Sequence, residues 1–173
     1  MNSRWIPSLI FVILMLLSAC SRLTIEEVIE KDIPFNVKEV IHKEKVKDGV
    51  ILLYLTEQKN NHGIFDTVTV AFLKGNARDG WKNAGHNHWE HAESDWITVY
   101  KDVFYEYNKK GMLENYLPVI YGKVENDNVR FVNVLGEEEK LEKAYIIEKD
   151  SGRYFIKIGN YELVRGEMKN RWK

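Results

Sequence analysis

From residue 36 onward, apolar and polar side chains mostly alternate with a period of two, and short polar clusters interrupt the alternation. Because successive side chains of a strand point to opposite faces, this pattern predicts β-strands. Strands are predicted at 37–46, 50–56, 64–73, 96–101, 118–124, 129–134, 144–148, 154–158 and 161–165. Short strands joined by tight turns are typical of antiparallel sheets, so we predict one mostly-β domain (β-rich α+β).

A short helix is predicted before the first strand. The stretch Thr24-Ile25-Glu26-Glu27 has the form of a capping box, in which the first and last side chains each accept a hydrogen bond from the other's backbone amide. Val28 and Ile29 continue an apolar stripe that starts at Ile25, and Pro34 ends the element. We expect this helix to pack on the rim of the domain.

Several stretches refine the predicted sheet. Asp48-Gly49 is a strong hairpin signal, because glycine accepts positive φ. Residues 64–73 carry apolar groups on both faces, which predicts an inner strand. Residues 75–80 are expected to form a turn that leads into a polar loop, 80–96. Residues 102–107 fit a helix face as well as a strand, and their structure is left open.

The first twenty residues have the composition of a secretory signal. Arg4 precedes the mostly apolar run 5–17, which is shorter than the roughly 20 residues that a membrane-spanning helix needs. The run ends in Leu17-Ser18-Ala19-Cys20, which resembles the bacterial lipobox, L-[AS]-[AG]-C. The small residues leave the backbone open to a peptidase, and the Cys20 thiol can carry a diacylglyceryl group with acyl chains such as palmitate.

Cleavage before Cys20 predicts a lipoprotein signal peptide at 1–19, a lipidated cysteine with a short tether at 20–23 and a single globular domain at 24–173. Each buried methylene contributes about 0.8 kcal/mol, so two or three acyl chains anchor a protein almost permanently. We therefore expect a lipid-anchored protein on the extracytoplasmic face of the cell membrane. Cys20 is the only cysteine, which excludes an internal disulfide and a thiolate-rich metal site.

The charge balance argues against nucleic acid as a partner. The chain has 25 basic and 26 acidic residues, a formal net charge of −1. Its lysine-rich stretch, 38–47, is interleaved with acidic residues, so no basic face suited to phosphate backbones is predicted. Glu137-Glu138-Glu139 is interpreted as a solvated turn. No nucleotide-binding fingerprint and no G-x-S-x-G nucleophile elbow occurs.

Four stretches of the mature chain resemble a group of small uncharacterised lipoproteins of Bacillus-type Gram-positive bacteria. They are VKEVIHKEKVKDG at 37–49, VAFLK at 70–74, GWK at 80–82 and LPVIYGKVEN at 117–126. The resemblance covers most of the mature chain in short motifs. It implies a cell-envelope location and no assigned activity, so no site residue is carried over from it.

Three histidines lie close together in the polar loop. His86, His88, Glu90 and His91 form H-x-H-x-E-H, close to the H-x-H-x-D-H zinc motif of metallo-β-lactamases. Neutral imidazoles bind zinc or copper, and three protein ligands with an open position suit catalysis. The sequence leaves two interpretations: a solvated polar loop, which we favour, and a zinc or copper site that uses the three imidazoles.

A metal-dependent hydrolase of that class is the weakest alternative. It needs further ligands downstream, and no histidine follows His91. It also needs a larger α/β chain, and Glu90 stands where the motif has aspartate. We predict no enzymatic activity and no cofactor.

The mature chain is rich in aromatic residues that could stack on cell-wall sugars. Most are expected to form the core, because large rings dominate burial in a small β domain. They are Trp81, Trp89, Trp96, Tyr100, Tyr105, Tyr107, Tyr116 and Tyr121. Trp89, inside the polar loop, is the best candidate for an exposed stacking residue. The predicted function is that of a non-enzymatic binding or interaction module of the envelope, whose partner is a protein, a peptide or a wall component.

Overall fold

The computed structural model describes residues 22–61, 63–86, 91–93, 96–136 and 139–168. Within these ranges the chain forms one helix and twelve strands. The helix is α1 (Ile25–Asp32), and the strands of the first half are β1 (Asn36–Val46), β2 (Gly49–Asn60), β3 (Gly63–Asn76), β4 (Gly80–His86), β5 (His91–Glu93) and β6 (Ile97–Tyr107). The strands of the second half are β7 (Leu113–Val124), β8 (Val129–Gly136), β9 (Leu141–Ala144), β10 (Ile146–Lys149), β11 (Gly152–Ile158) and β12 (Tyr161–Met168).

The strands form three sheets in which all pairings are antiparallel. The first sheet has the order β1-β2-β3-β4, the second β10-β11-β7-β6-β5 and the third β12-β8-β9. The prediction of a mostly-β, antiparallel fold with a short N-terminal helix is therefore confirmed. Hairpins account for most neighbouring strands, as the tight turns of the sequence indicate.

Helix α1 is held by the capping box that the sequence predicts. The Thr24 amide donates to Glu27 Oε2 at 2.8 Å, and the Glu27 amide donates to Thr24 Oγ1 at 3.2 Å. The buried Val28 packs with Leu52 and Leu73 of the first sheet. The helix therefore covers a face of this sheet, where the sequence predicted a position on the rim.

Three apolar clusters hold the layers together. One lies between α1 and the first sheet, a second between the first and second sheets, and a third between the second and third sheets. The middle of β7 serves two of them, since Tyr121 belongs to the second cluster and its neighbour Ile120 to the third. Burying such a side chain contributes roughly 1.5–3 kcal/mol, so these clusters dominate the stability of the fold.

The inner-strand prediction for residues 64–73 is confirmed, because β3 lies between β2 and β4 and is buried without interruption over 67–73. Residues 102–107, for which the sequence left helix and strand open, form a strand, since β6 continues to Tyr107. The segment 144–148 was predicted as one strand and is two, because the chain passes at Tyr145 from the third sheet (β9) to the second (β10).

The predicted polar loop at 80–96 is the largest departure from the sequence prediction. Residues Gly80–His86 form β4 and residues His91–Glu93 form β5. Both are edge strands, of the first and second sheets respectively. An edge strand pairs through its backbone on one side only and can be largely polar, so the period-two signal is weak there.

Candidate functional site

Part of the predicted site lies outside the described residues. This holds for Cys20, the predicted lipidation site, and for His88 and Trp89. His86 ends β4, paired with Ala71, and His91 begins β5, paired with Tyr100. The first and last histidines of the motif therefore lie in different sheets, and binding of a metal by the three imidazoles stays a prediction.

Within the described ranges, the structure bears on two functional features: clustered metal-binding side chains and helices that could cross a membrane. No group of three or more His, Cys, Asp or Glu side chains there is placed to hold a metal ion. Nor does any helix in the described ranges have the length and hydropathy to cross a membrane.

The structure separates the aromatic residues into two sets. Tyr100 and Tyr121 are buried in the core, as predicted. In contrast, Tyr105, Tyr107 and Tyr116 are 54, 62 and 52% exposed. The sequence prediction that most aromatics belong to the core is wrong for these three tyrosines and for Trp96, which is 37% exposed.

These three tyrosines lie on the half of the β6–β7 hairpin that is next to its turn, which we call the outer half. Tyr105 pairs directly with Tyr116, and the rings of Tyr105 and Tyr107 have their centroids 6.5 Å apart. The third sheet packs on the other half of this hairpin through Ile97 and Val124, and it leaves the three tyrosines more than half exposed. Large apolar side chains without a covering element are typical of interaction surfaces.

A depression of about 500 Å³ opens beside Tyr116. We call it the tyrosine groove, and its lining residues are Tyr116, Pro118, Gly136, Lys140, Glu142, Gly159, Asn160 and Tyr161. Its wall is fixed by the backbone, because the Gly159 amide donates to the Pro118 carbonyl at 2.8 Å and the Gly136 amide donates to the Lys140 carbonyl at 3.1 Å. The groove thus lies where the β8–β9 and β11–β12 turns meet β7.

The groove combines aromatic rings with both signs of charge. Lys140 and Glu142 supply these charges. Lys157, which lies outside the lining, pairs with Glu142 at 3.0 Å, and this hydrogen bond lowers the pKa of the Glu142 carboxyl. The Tyr161 hydroxyl donates to the Ile158 carbonyl at 3.3 Å, and burial raises the pKa of Tyr161. Near neutral pH the groove therefore holds an ionised carboxylate and a neutral phenol. Such a lining can stack on an apolar face of a ligand and form hydrogen bonds with its polar groups.

A second group of tyrosines lies inside the domain, between the first and second sheets. The Tyr100 and Tyr121 rings stack with centroids 5.3 Å apart and an interplanar angle of 11°, and the Tyr100 hydroxyl lies 3.1 Å from Thr67 Oγ1. Burial raises the pKa of Tyr121, and it also raises the pKa of Tyr54, which lies in the cluster between α1 and the first sheet. These hydroxyls are closed off from solvent, so they are not candidates for binding.

Tyr105, Tyr107 and Tyr116 were among the aromatic residues that the sequence predicted to lie mostly in the core, and Tyr145, 76% exposed, was not among them. The usable signal was the alternation Tyr105-Glu106-Tyr107, which places both rings on one face of a strand with the carboxylate on the other. Which face is covered depends on the third sheet, whose position is not a property of this segment.

Comparison with known proteins returns no match to this chain: no family model, no curated protein and no solved structure.

Proposed function

We propose that this protein is a lipid-anchored binding module of the cell envelope, held on the extracytoplasmic face of the membrane through Cys20 and without enzymatic activity. The anchor is argued from the lipobox at 17–20 and from the resemblance to small Bacillus-type lipoproteins. The binding role is argued from one structural observation, the tyrosine groove with its exposed rings.

The chemistry of the groove favours a ligand with both apolar and polar faces, such as a wall glycan or a peptide. Tyr116 offers an aromatic surface, while Lys140 and Glu142 offer a donor and an acceptor within the same depression. Opposite charges in one small site disfavour a strongly anionic or cationic polymer, because each ligand charge would meet a like charge as well as an opposite one.

The anchor is tested by mass spectrometry of the full chain expressed in a Gram-positive host. We expect the N-terminal peptide to begin at Cys20 and to carry a diacylglyceryl group. A Cys20→Ala variant is expected to keep its signal segment and to lose the lipid mass. An unmodified Cys20 in wild-type protein from the membrane fraction would contradict the proposal.

Binding to the wall is tested by co-sedimentation with purified cell-wall sacculi. Tyr116→Ala is expected to reduce the bound fraction, because it removes the ring at the groove. Tyr145→Ala is the matched control, since Tyr145 is 76% exposed and does not line the tyrosine groove. Trp89→Ala tests the stacking residue that the sequence favours. If wild type and Tyr116→Ala sediment equally, the wall is not the ligand of the groove.

Zinc or copper binding is the second candidate, favoured by the spacing of His86, His88 and His91. Calorimetric titration of the protein with zinc, and with copper in a separate run, is compared with the triple alanine variant of these histidines. A saturable heat that the variant loses would support a metal-binding lipoprotein. Identical titrations would exclude it.

A further inference from the structure

The described chain begins at one end of the domain, against the turn between β3 and β4. The Arg22 guanidinium donates to the Arg78 carbonyl at 2.6 Å, and the Trp81 amide donates to the Leu23 carbonyl at 3.0 Å. Gly80 has a φ of +91°, and a Cβ there would come within 3.1 Å of Arg22 Cβ. We call this end, which holds Arg22, the entry end.

The β6–β7 hairpin reaches the same end of the domain. Glu106, one residue before the last residue of β6, pairs with Lys74, which lies two residues before the end of β3. Asn115 Nδ2 donates to the second oxygen of Glu106 at 3.2 Å. Since β3 ends at the turn that contacts Arg22, the turn of the hairpin at 108–112 lies at the entry end as well.

The side chains around this turn have the composition of a membrane-interface surface. We call residues 105–113 the hairpin end. Tyr107, Met112, Tyr105 and Leu113 are 62, 56, 54 and 52% exposed, and Lys109 and Lys110 lie between them in the turn. Tyrosines are enriched at the level of lipid headgroups, and lysines there are attracted to anionic lipids while their stems pack on apolar surface.

On the basis of the proposed lipidation of Cys20, we propose that the hairpin end contacts the headgroup region of the bilayer that carries the anchor. Cys20 precedes Arg22 by two residues, which span at most about 7 Å when fully extended. The tether therefore holds the entry end close to the lipid surface and limits how far the domain can stand away from it.

The opposite end of the first sheet also exposes apolar residues but lies beyond reach of this surface. Ile64, at the start of β3, is 66% exposed. It is separated from the entry end by the length of β3, about 40 Å for a strand of this size. Ile64 is therefore a control of similar polarity and exposure that should remain in water.

The experiment uses the lipidated full-length protein in vesicles of phosphatidylglycerol and phosphatidylcholine in equal parts. Cys20 is the only cysteine, so once it is lipidated a single introduced thiol can be labelled with an environment-sensitive dye. Met112→Cys and Ile64→Cys place the dye at the two ends. We expect the emission of the Met112→Cys label to shift to shorter wavelength and to be quenched by nitroxide lipids, while the Ile64→Cys label stays in water.

Two further variants separate the contributions of rings and charges. Replacing Tyr105 and Tyr107 by Ser in the Met112→Cys background should weaken the quenching in all vesicles. Replacing Lys109 and Lys110 by Glu should weaken it in anionic vesicles and leave it unchanged in pure phosphatidylcholine. A circular dichroism spectrum equal to that of wild type verifies that each variant is folded.

The outcomes distinguish this inference from the proposed function. A Met112→Cys label that stays in water, in protein whose Cys20 carries its lipid by mass spectrometry, overturns the membrane contact and leaves the anchored binding module intact. Both labels in lipid would overturn the inference too, because the two ends would then not differ. An unmodified Cys20 removes the proposed function, and the membrane contact with it.

Discussion

Two tyrosine pairs on the same β6–β7 hairpin have opposite environments. Tyr100 and Tyr121 face each other across the strands, stacked and buried in the core between the first and second sheets. Tyr105 and Tyr116 are also directly paired, five residues nearer the hairpin turn on each strand, yet more than half of each side chain is exposed.

The difference has two causes: the number of residues between the two pairs, which decides the face of the strand, and the extent of the third sheet. An odd separation places the second pair on the other face of the hairpin. That face is covered by the third sheet only as far as residues such as Ile97 and Ile120. The same residue type in the same pairing is therefore part of the core at one position and exposed at the other.

The largest effect is expected from truncating the buried pair. Tyr121→Ala should lower the free energy of unfolding by about 3–5 kcal/mol, because it leaves a cavity where a fully buried ring packs. Urea unfolding followed by circular dichroism measures the change. A loss under about 1 kcal/mol, the level of an ordinary surface substitution, would mean that the Tyr100–Tyr121 stack is not part of the stabilising core.

The second-largest effect is expected at alkaline pH, where the buried tyrosine Tyr121 should make the free energy of unfolding depend on pH. Burial raises the pKa of Tyr121, whereas a phenol in the unfolded chain has a pKa of about 10. Below that pH both states keep the tyrosine proton, so Tyr121 contributes no pH dependence to the free energy of unfolding. Above it the unfolded state loses its proton first, so the free energy of unfolding falls as pH rises toward the folded pKa. Tyr54, whose pKa burial also raises, acts in the same direction.

Stability curves between neutral pH and pH 11 test this assignment. Tyr121→Phe should reduce the alkaline loss, and the same change at Tyr116, which is 52% exposed, provides the comparison. Equal slopes for the two variants would show that other groups cause the alkaline loss.

A smaller effect is expected at the ion pair that holds the outer hairpin to β3. The hydrogen bond from Lys74 lowers the pKa of Glu106, so the pair contributes stability above the unfolded carboxyl pKa of about 4.3 and loses it as pH falls through the folded value. Glu106→Gln should cost about 1 kcal/mol or less at neutral pH.

The exposed pair Lys123–Glu125, 3.0 Å apart, provides the control for that measurement. Glu125→Gln should change the free energy of unfolding by less than Glu106→Gln, because both of its partners are more than a third exposed. The reverse order would contradict the assignment of Glu106 as the residue that fixes the hairpin to β3.

The smallest change in the free energy of unfolding is expected at the exposed tyrosine pair, Tyr105 and Tyr116. Tyr116→Ala should change the free energy of unfolding by about 0.5 kcal/mol or less, because little packing is lost. Thermal unfolding monitors this, beside the sacculi co-sedimentation in which the same variant should lose binding. A strong destabilisation by Tyr116→Ala would show that the ring supports the fold and would remove it as a dedicated binding residue.

The strands that the sequence predicted best are those with apolar side chains to bury. The alternation in 37–46, 50–56 and 64–73 predicted β1, β2 and β3, because these strands carry residues of the first two apolar clusters. Gly80–His86 has Trp81 as its one large apolar residue, so β4 left no comparable pattern. Its pairing with β3 is made by the backbone, which the side-chain sequence does not report.

The sequence by itself determined the capping box, the hairpin turns and the faces that alternate residues share, because each depends on neighbours along the chain. It also supplies the whole of the argument for lipidation at Cys20. The tertiary structure alone decided which tyrosines are exposed and at which end of the domain Arg22 lies. Those properties depend on the extent of the third sheet and on contacts between residues far apart in sequence, such as Arg22 with Arg78 and Lys74 with Glu106.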